Sequence, residues 1–153
     1  MRSKLEVSFN SPQCGWMSIG FDDGTAEFHT TTAHAPYKGV LGDLMAILTE
    51  LQKDGGRTEH TLKWNRDPEE YDLRFIRDGE NASIEIYEYP TAERIEPERQ
   101  LVFSHTNTLD ELTAAFARTF DQLYEDRDTD DFEFNWHQPF PYERYEEFKR
   151  AAA

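Results

Sequence analysis

Five histidines, one cysteine and 31 carboxylates are the groups through which this chain could act on other molecules. Cys14-Gly15-Trp16 holds a nucleophile, and a thiolate beside an imidazole such as that of His29 or His34 is a common catalytic pair. No family signature surrounds Cys14, however, and a lone Cys in a loop that enters a strand is more often a small buried residue. His29, His34, His60, His105 and His137 are scattered among carboxylates, which is a zinc donor set. Their spacing argues against a metal. There is no His-Glu-x-x-His, no paired Cys, and Asp22-Asp23-Gly24 lacks the downstream Glu of a calcium loop.

Glu69-Glu70 and Glu146-Glu147 could divide acid and base roles only if burial raised one carboxyl above the other. In a chain so rich in acids, solvated surface is the expectation for both. Arg74 and Lys63, near Glu85 and Tyr87 on one sheet face, read as cross-strand ion pairs rather than a ligand site. The sequence carries no Gly-x-Ser-x-Gly, Walker loop or dinucleotide fingerprint. Neither a catalytic group nor a cofactor is expected.

Charge is the strongest signal. Against 31 acidic side chains stand 16 basic ones, a formal net of −15, densest from Asp121 to Glu133. Such a surface repels nucleic acid and acidic membranes and draws basic partners. Asp126, Asp128, Asp130 and Asp131 lead directly into Phe132, Phe134, Trp136, Phe140, Tyr142, Tyr145 and Phe148. Acids that steer and rings that grip make a protein-binding surface, for which Asp126, Asp128, Asp130, Asp131, Trp136 and Tyr142 are the candidate residues. The plainer reading has equal weight: a solvated helix end that keeps an aromatic-rich protein soluble.

These residues need elements to position them. Leu5, Val7 and Phe9 alternate, as do Met17, Ile19 and Phe21, then Ala26, Phe28 and Thr30, which gives three strands with a two-residue hairpin turn at Asp23-Gly24. Pro36 suits a first helical turn, and Val40, Leu41, Leu44, Met45, Ile47, Leu48 and Leu51 share one face before Gly55-Gly56 ends the helix. Gly42 inside it predicts close packing, most simply against a sheet.

Four more strands form a meander. Leu62 and Trp64, Leu73 and Phe75, Ile84 and Ile86, and Leu101 and Phe103 face one way. Thr61, Lys63, Asp72, Arg74, Glu85 and Ser104 face the other, and Asp67-Pro68, Asp78-Gly79 and the loop 90–97 reverse the chain. A polar outer face places the helices on the other side. Ile76, Tyr87 and Val102 make that outer face partly apolar, so a cover is expected, either the aromatic tail or a second molecule. The second helix is capped by Thr108 with Glu111 three residues on, and presents Leu109, Leu112, Phe116, Phe120 and Leu123. Pro139 and Pro141 precede a short helix over 142–150.

The fold class is therefore α+β: an antiparallel sheet of about seven strands in the order β-β-β-α-β-β-β-β-α, two long helices on one face, and an aromatic C-terminal appendage over 126–153 on a core of 1–125. In element order it resembles helix-grip folds and, more loosely, the small acidic chaperones of bacterial secretion systems, with no shared motif behind the likeness.

Length fits one domain of 153 residues. The start Met1-Arg2-Ser3-Lys4 lacks an apolar signal core, no run approaches a membrane span, and Cys14 has no partner for a disulfide, so a cytoplasmic protein is expected. The expected function is a non-catalytic binding module, immunity-protein-like or chaperone-like, for a basic protein. Homodimerisation through the sheet face or the tail is compatible with it. The alternative is a small-molecule binder or enzyme with a pocket between sheet and helix lined by Trp64, Phe75 and Tyr87.

Overall fold

A computed structural model describes residues 4–152, so Met1, Arg2 and Ser3 of the expected start lie outside the described residues. Alternating apolar residues form β1 (Glu6–Phe9), β2 (Trp16–Asp22) and β3 (Glu27–Ala33), and then β4 (Glu59–Asn65), β5 (Glu70–Asp78), β6 (Asn81–Tyr89) and β7 (Gln100–Thr108). The helices are α1 (Val40–Leu51), α2 (Leu109–Asp126), α3 (Phe132–Trp136) and α4 (Tyr142–Ala152). The class is α+β and every strand pair is antiparallel.

The strands form two sheets, ordered β1-β2-β3 and β4-β5-β6-β7, in place of the single sheet expected from the meander. The division falls where α1 interrupts the strands, and side chains rather than a ladder join the two parts. Trp64 donates its indole N–H to the Ala33 carbonyl at 3.2 Å, Thr30 and Tyr71 share a 2.7 Å hydroxyl bond, and His105 meets Asp23 at 3.1 Å. These tie β3 and the turn before it to β4, β5 and β7. That turn spans Asp23–Ala26 instead of two residues. Both Asp22 and Asp23 accept backbone N–H groups within it, and only Gly24 takes a positive φ, 86°.

Helices α1 and α2 pack on the inner face of the four-stranded sheet, and α2 also covers β1. Phe116 lies 5.8 Å from Phe75 and 6.1 Å from Phe9, so one ring joins both sheets to the helix. Thr108 caps α2 by accepting from the Glu111 N–H at 3.2 Å. Arg77 of β5 reaches the Leu51 carbonyl at 3.0 Å and the Lys53 carbonyl at 3.1 Å, supplying donors to the end of α1.

The aromatic C-terminal segment folds back on its own chain. Phe132, Trp136, Phe140, Tyr145 and Phe148 join the core, and α4 lies along α1 and α2. Gly42 packs closely as its helical position suggested, but against α4 and not a sheet: a Cβ there stands 3.3 Å from Pro141 Cβ and 3.5 Å from Arg144 Cγ. Pro36 precedes the helix, which begins at Val40.

Leu101 departs from the expected inner face. A bulge between Ile86 and Tyr87 sets Phe103 opposite Ile86 but Leu101 opposite Tyr87. The extra residue, Val102, turns Leu101 to the Tyr87 side, where it is 52% exposed.

Candidate functional site

The acidic corner is built where α2 ends. Its last turn holds Glu125 and Asp126 and no basic residue, against the preference of a helix C-terminus for cations. Arg127 offsets this from just outside, with its guanidinium 3.9 Å from the Tyr124 ring and its Nε donating to the Tyr142 hydroxyl at 3.0 Å. A turn carries the chain to α3, entered through Asp131 in the left-handed conformation (φ 50°). Ser11 donates to Asp130 at 2.6 Å and the Gly15 N–H to the Asn135 carbonyl at 2.6 Å, so the loop before β2 holds this turn in place.

Asp128, Asp130, Asp131 and Glu133 are exposed and Asp126 half-exposed. Tyr142, also exposed, lines a shallow cleft of about 300 Å³ with Arg127, Asp128, Asp131, Phe132, Glu133 and Phe140. Trp136 does not belong to this surface. It is 1% exposed, sealed into the core, and so cannot grip a partner. Phe134, by contrast, projects from α3 at 73% exposure, the most exposed of the large apolar residues among those described. The five residues of α3 bury Phe132 and Trp136, four apart, and leave Phe134 between them on the opposite side.

A second feature lies on the outer face of the four-stranded sheet. Glu70 and Asp72, alternate residues of β5, are buried there, which corrects the reading of Glu70 as solvated surface. Arg94, from the β6–β7 loop, bonds Glu70 at 2.6 Å with one nitrogen and Asp72 with the other. Tyr37 donates to Glu70 at 2.7 Å and Tyr89 to Asp72 at 2.8 Å. Burial, then the Glu70 carboxylate, push the Tyr37 hydroxyl above its ordinary range. Arg99 stacks on Tyr87, 4.1 Å from ring centre. The cover expected over Tyr87 is thus this loop, not the tail. Further along, Arg74 pairs with Glu85 at 3.2 Å and Glu59 at 3.4 Å, the cross-strand ion pairing expected of it, while Lys63 is exposed on β4.

On the inner side, Tyr71 donates to Glu88 at 3.1 Å and bonds Thr30, and its burial raises its pKa. Asp23 is held below the usual carboxylate range by the Ala26 and Thr25 backbone N–H groups, with His105 adding to their effect. Trp64 and Phe75 are completely buried, and Tyr87 points to the opposite face, so these three do not line one pocket.

Cys14 is exposed, not buried as expected of a lone Cys entering a strand, and lies in a left-handed turn (φ 52°) with Gly15. His34 bonds the Gly15 carbonyl through Nδ1 at 3.1 Å and meets the His137 ring edge-on at 4.7 Å. A Cβ at Gly15 would stand 2.7 Å from His34 Nδ1, so the glycine permits this contact. Among the described residues no three His, Cys, Asp or Glu side chains converge as a metal site, and no helix is long and apolar enough to cross a membrane. Comparison with family models, curated proteins and solved structures gives no match to this chain.

Of the two rings proposed from the sequence, Tyr142 is exposed and Trp136 is buried, while Phe134 stands exposed beside the acids. The signal for Phe134 was the helical spacing of Phe132 and Trp136, which leaves the residue between them outside. The signal for the Glu70–Asp72–Arg94 cluster was weaker: two acids at alternate strand positions with an arginine in the next loop.

Proposed function

We propose that the chain is a non-catalytic protein-binding module whose acidic corner engages a basic partner. The observation that carries the reading is Phe134, a large ring left 73% exposed on α3, with the exposed Asp130, Asp131 and Glu133 just before it in the chain. Leaving a Phe side chain in water forgoes roughly 1.5–3 kcal/mol of burial, and a partner recovers that energy when it covers the ring. The surrounding acids speed encounter with a positive surface and disfavour negative ones. Tyr142 lines the cleft on the Phe132 side of α3, which offers a second point of contact for a side chain of the partner.

Affinity purification from the source cells with the full chain, followed by direct titration of the purified partner, tests this. A basic protein that binds wild type and loses at least about tenfold in affinity with F134A, a loss of ~1.4 kcal/mol, supports the reading. Equal binding by wild type, F134A and a variant with Asp128, Asp130 and Asp131 changed to Lys rejects it.

A further inference from the structure

The loop 90–99 crosses the outer face of the four-stranded sheet with every residue exposed except Arg94 and Arg99. It is held there by those two side chains. The Arg94 guanidinium, 15% exposed, lies 4.5 Å from the Tyr89 ring centre and bridges two carboxylates that are 3% and 9% exposed. Each carboxylate also receives a tyrosine hydroxyl, from Tyr37 and Tyr89 respectively. The result is a flat, ring-walled, doubly negative slot already filled by a planar guanidinium. The donor fork of arginine matches it, and the point charge of lysine cannot span both acids in the same way.

Arg99 of the same loop stands 4.0 Å from Asp72, so with the loop lifted both guanidiniums leave and Glu70 and Asp72 remain as neighbouring buried carboxylates, which strongly disfavours spontaneous opening. An incoming guanidinium that bridges Glu70 and Asp72 as Arg94 does avoids that state, because the two carboxylates remain paired. We infer that the loop 90–99 is a displaceable latch, in which Arg94 is the chain's own occupant of a guanidinium slot that an arginine of the basic partner takes over when the loop lifts. This rests on the reading of the partner as basic, and supplies its preference for arginine. An internal occupant lowers the apparent affinity for an incoming one, so its removal raises that affinity.

The test uses the full wild-type chain labelled with nitrogen-15 and unlabelled hexa-arginine or hexa-lysine peptide. Bound hexa-arginine is expected to move the Arg94 guanidinium resonances to those of a free side chain, and saturating hexa-lysine to leave them in place. R94A is expected to bind hexa-arginine about tenfold more tightly than wild type, with R94K between them. If hexa-arginine binds and shifts the backbone amides of 126–135 while the Arg94 resonances stay fixed, the latch is refuted and the acidic corner stands. If the Arg94 resonances move and those amides do not, the latch stands and the corner fails as the contact surface. No binding of either peptide at low salt overturns both. The wild-type measurement decides the matter even if R94A does not fold.

Discussion

Tyr145 donates its hydroxyl proton to Asp121 at 2.5 Å, which fastens α4 to α2 across the seam that closes the core. Lys149 reaches the same carboxylate at 3.0 Å. Y145F keeps the ring, which stacks on Tyr124 at 4.9 Å, and removes only the bond. A loss of about 1.5–3 kcal/mol in denaturant unfolding is expected, the range for a hydrogen bond to a charged group. An unchanged midpoint would show that this seam carries no stability.

The tyrosines also report their surroundings. Burial raises the pKa of Tyr37, Tyr71 and Tyr145, and bonds to Glu70, Glu88 and Asp121 add to it. A group whose pKa rises on folding contributes stability below its unfolded value, near 10, and loses it as pH climbs through the folded value. Absorbance titration of the folded protein is expected to show these hydroxyls ionising above 10, with Y37F removing one late-titrating group. Ionisation of all three near 10 without unfolding contradicts the burial described here.

Asp23 gives the opposite dependence. Its folded pKa is depressed by the Ala26 and Thr25 N–H groups, then by His105, so its contribution is complete above the unfolded value of about 3.9 and fades as pH falls through the lower folded value. The stability gap between wild type and D23N is expected to be constant above about pH 5 and to narrow below pH 4. A gap that widens in acid reverses the sign and rejects this account of the turn.

Gly42 separates tight packing from helix propensity. An Ala methyl group meets Pro141 Cβ at 3.3 Å, a contact set against the up to ~1 kcal/mol that Ala gains over Gly in a helix. G42A is therefore expected within about 1 kcal/mol of wild type, and G42L, which must push α4 away, to lose about 1–3 kcal/mol. Thermal melts of the two variants check this, and equal stability for G42L would mean that α4 is not seated as described.

Much of this fold was legible because alternation and helical spacing are local signals. Phe9, Trp64 and Phe116 announce their burial through their neighbours two or four residues away. The separation into two sheets was not legible, since it depends on Trp64 reaching Ala33 and Tyr71 reaching Thr30 across 31 and 41 residues. Leu101 departs from the expected face because the extra residue Val102 breaks the two-residue alternation between it and Phe103. At the candidate site, the charge of Asp126–Glu133 could be read directly. The burial of Glu70 could not, because it arises from Arg94, 24 residues away.

Phe134 and the exposed acids of the acidic corner are proposed as the surface that binds a basic protein. The most direct measurement is the dissociation constant of the purified partner for wild type, F134A and the triple charge reversal at Asp128, Asp130 and Asp131, across a salt series. The account predicts at least a tenfold loss for each variant, about 1.4 kcal/mol, and binding that weakens steadily with salt for wild type but not for the reversal. A partner that binds all three alike, with no response to salt, contradicts it.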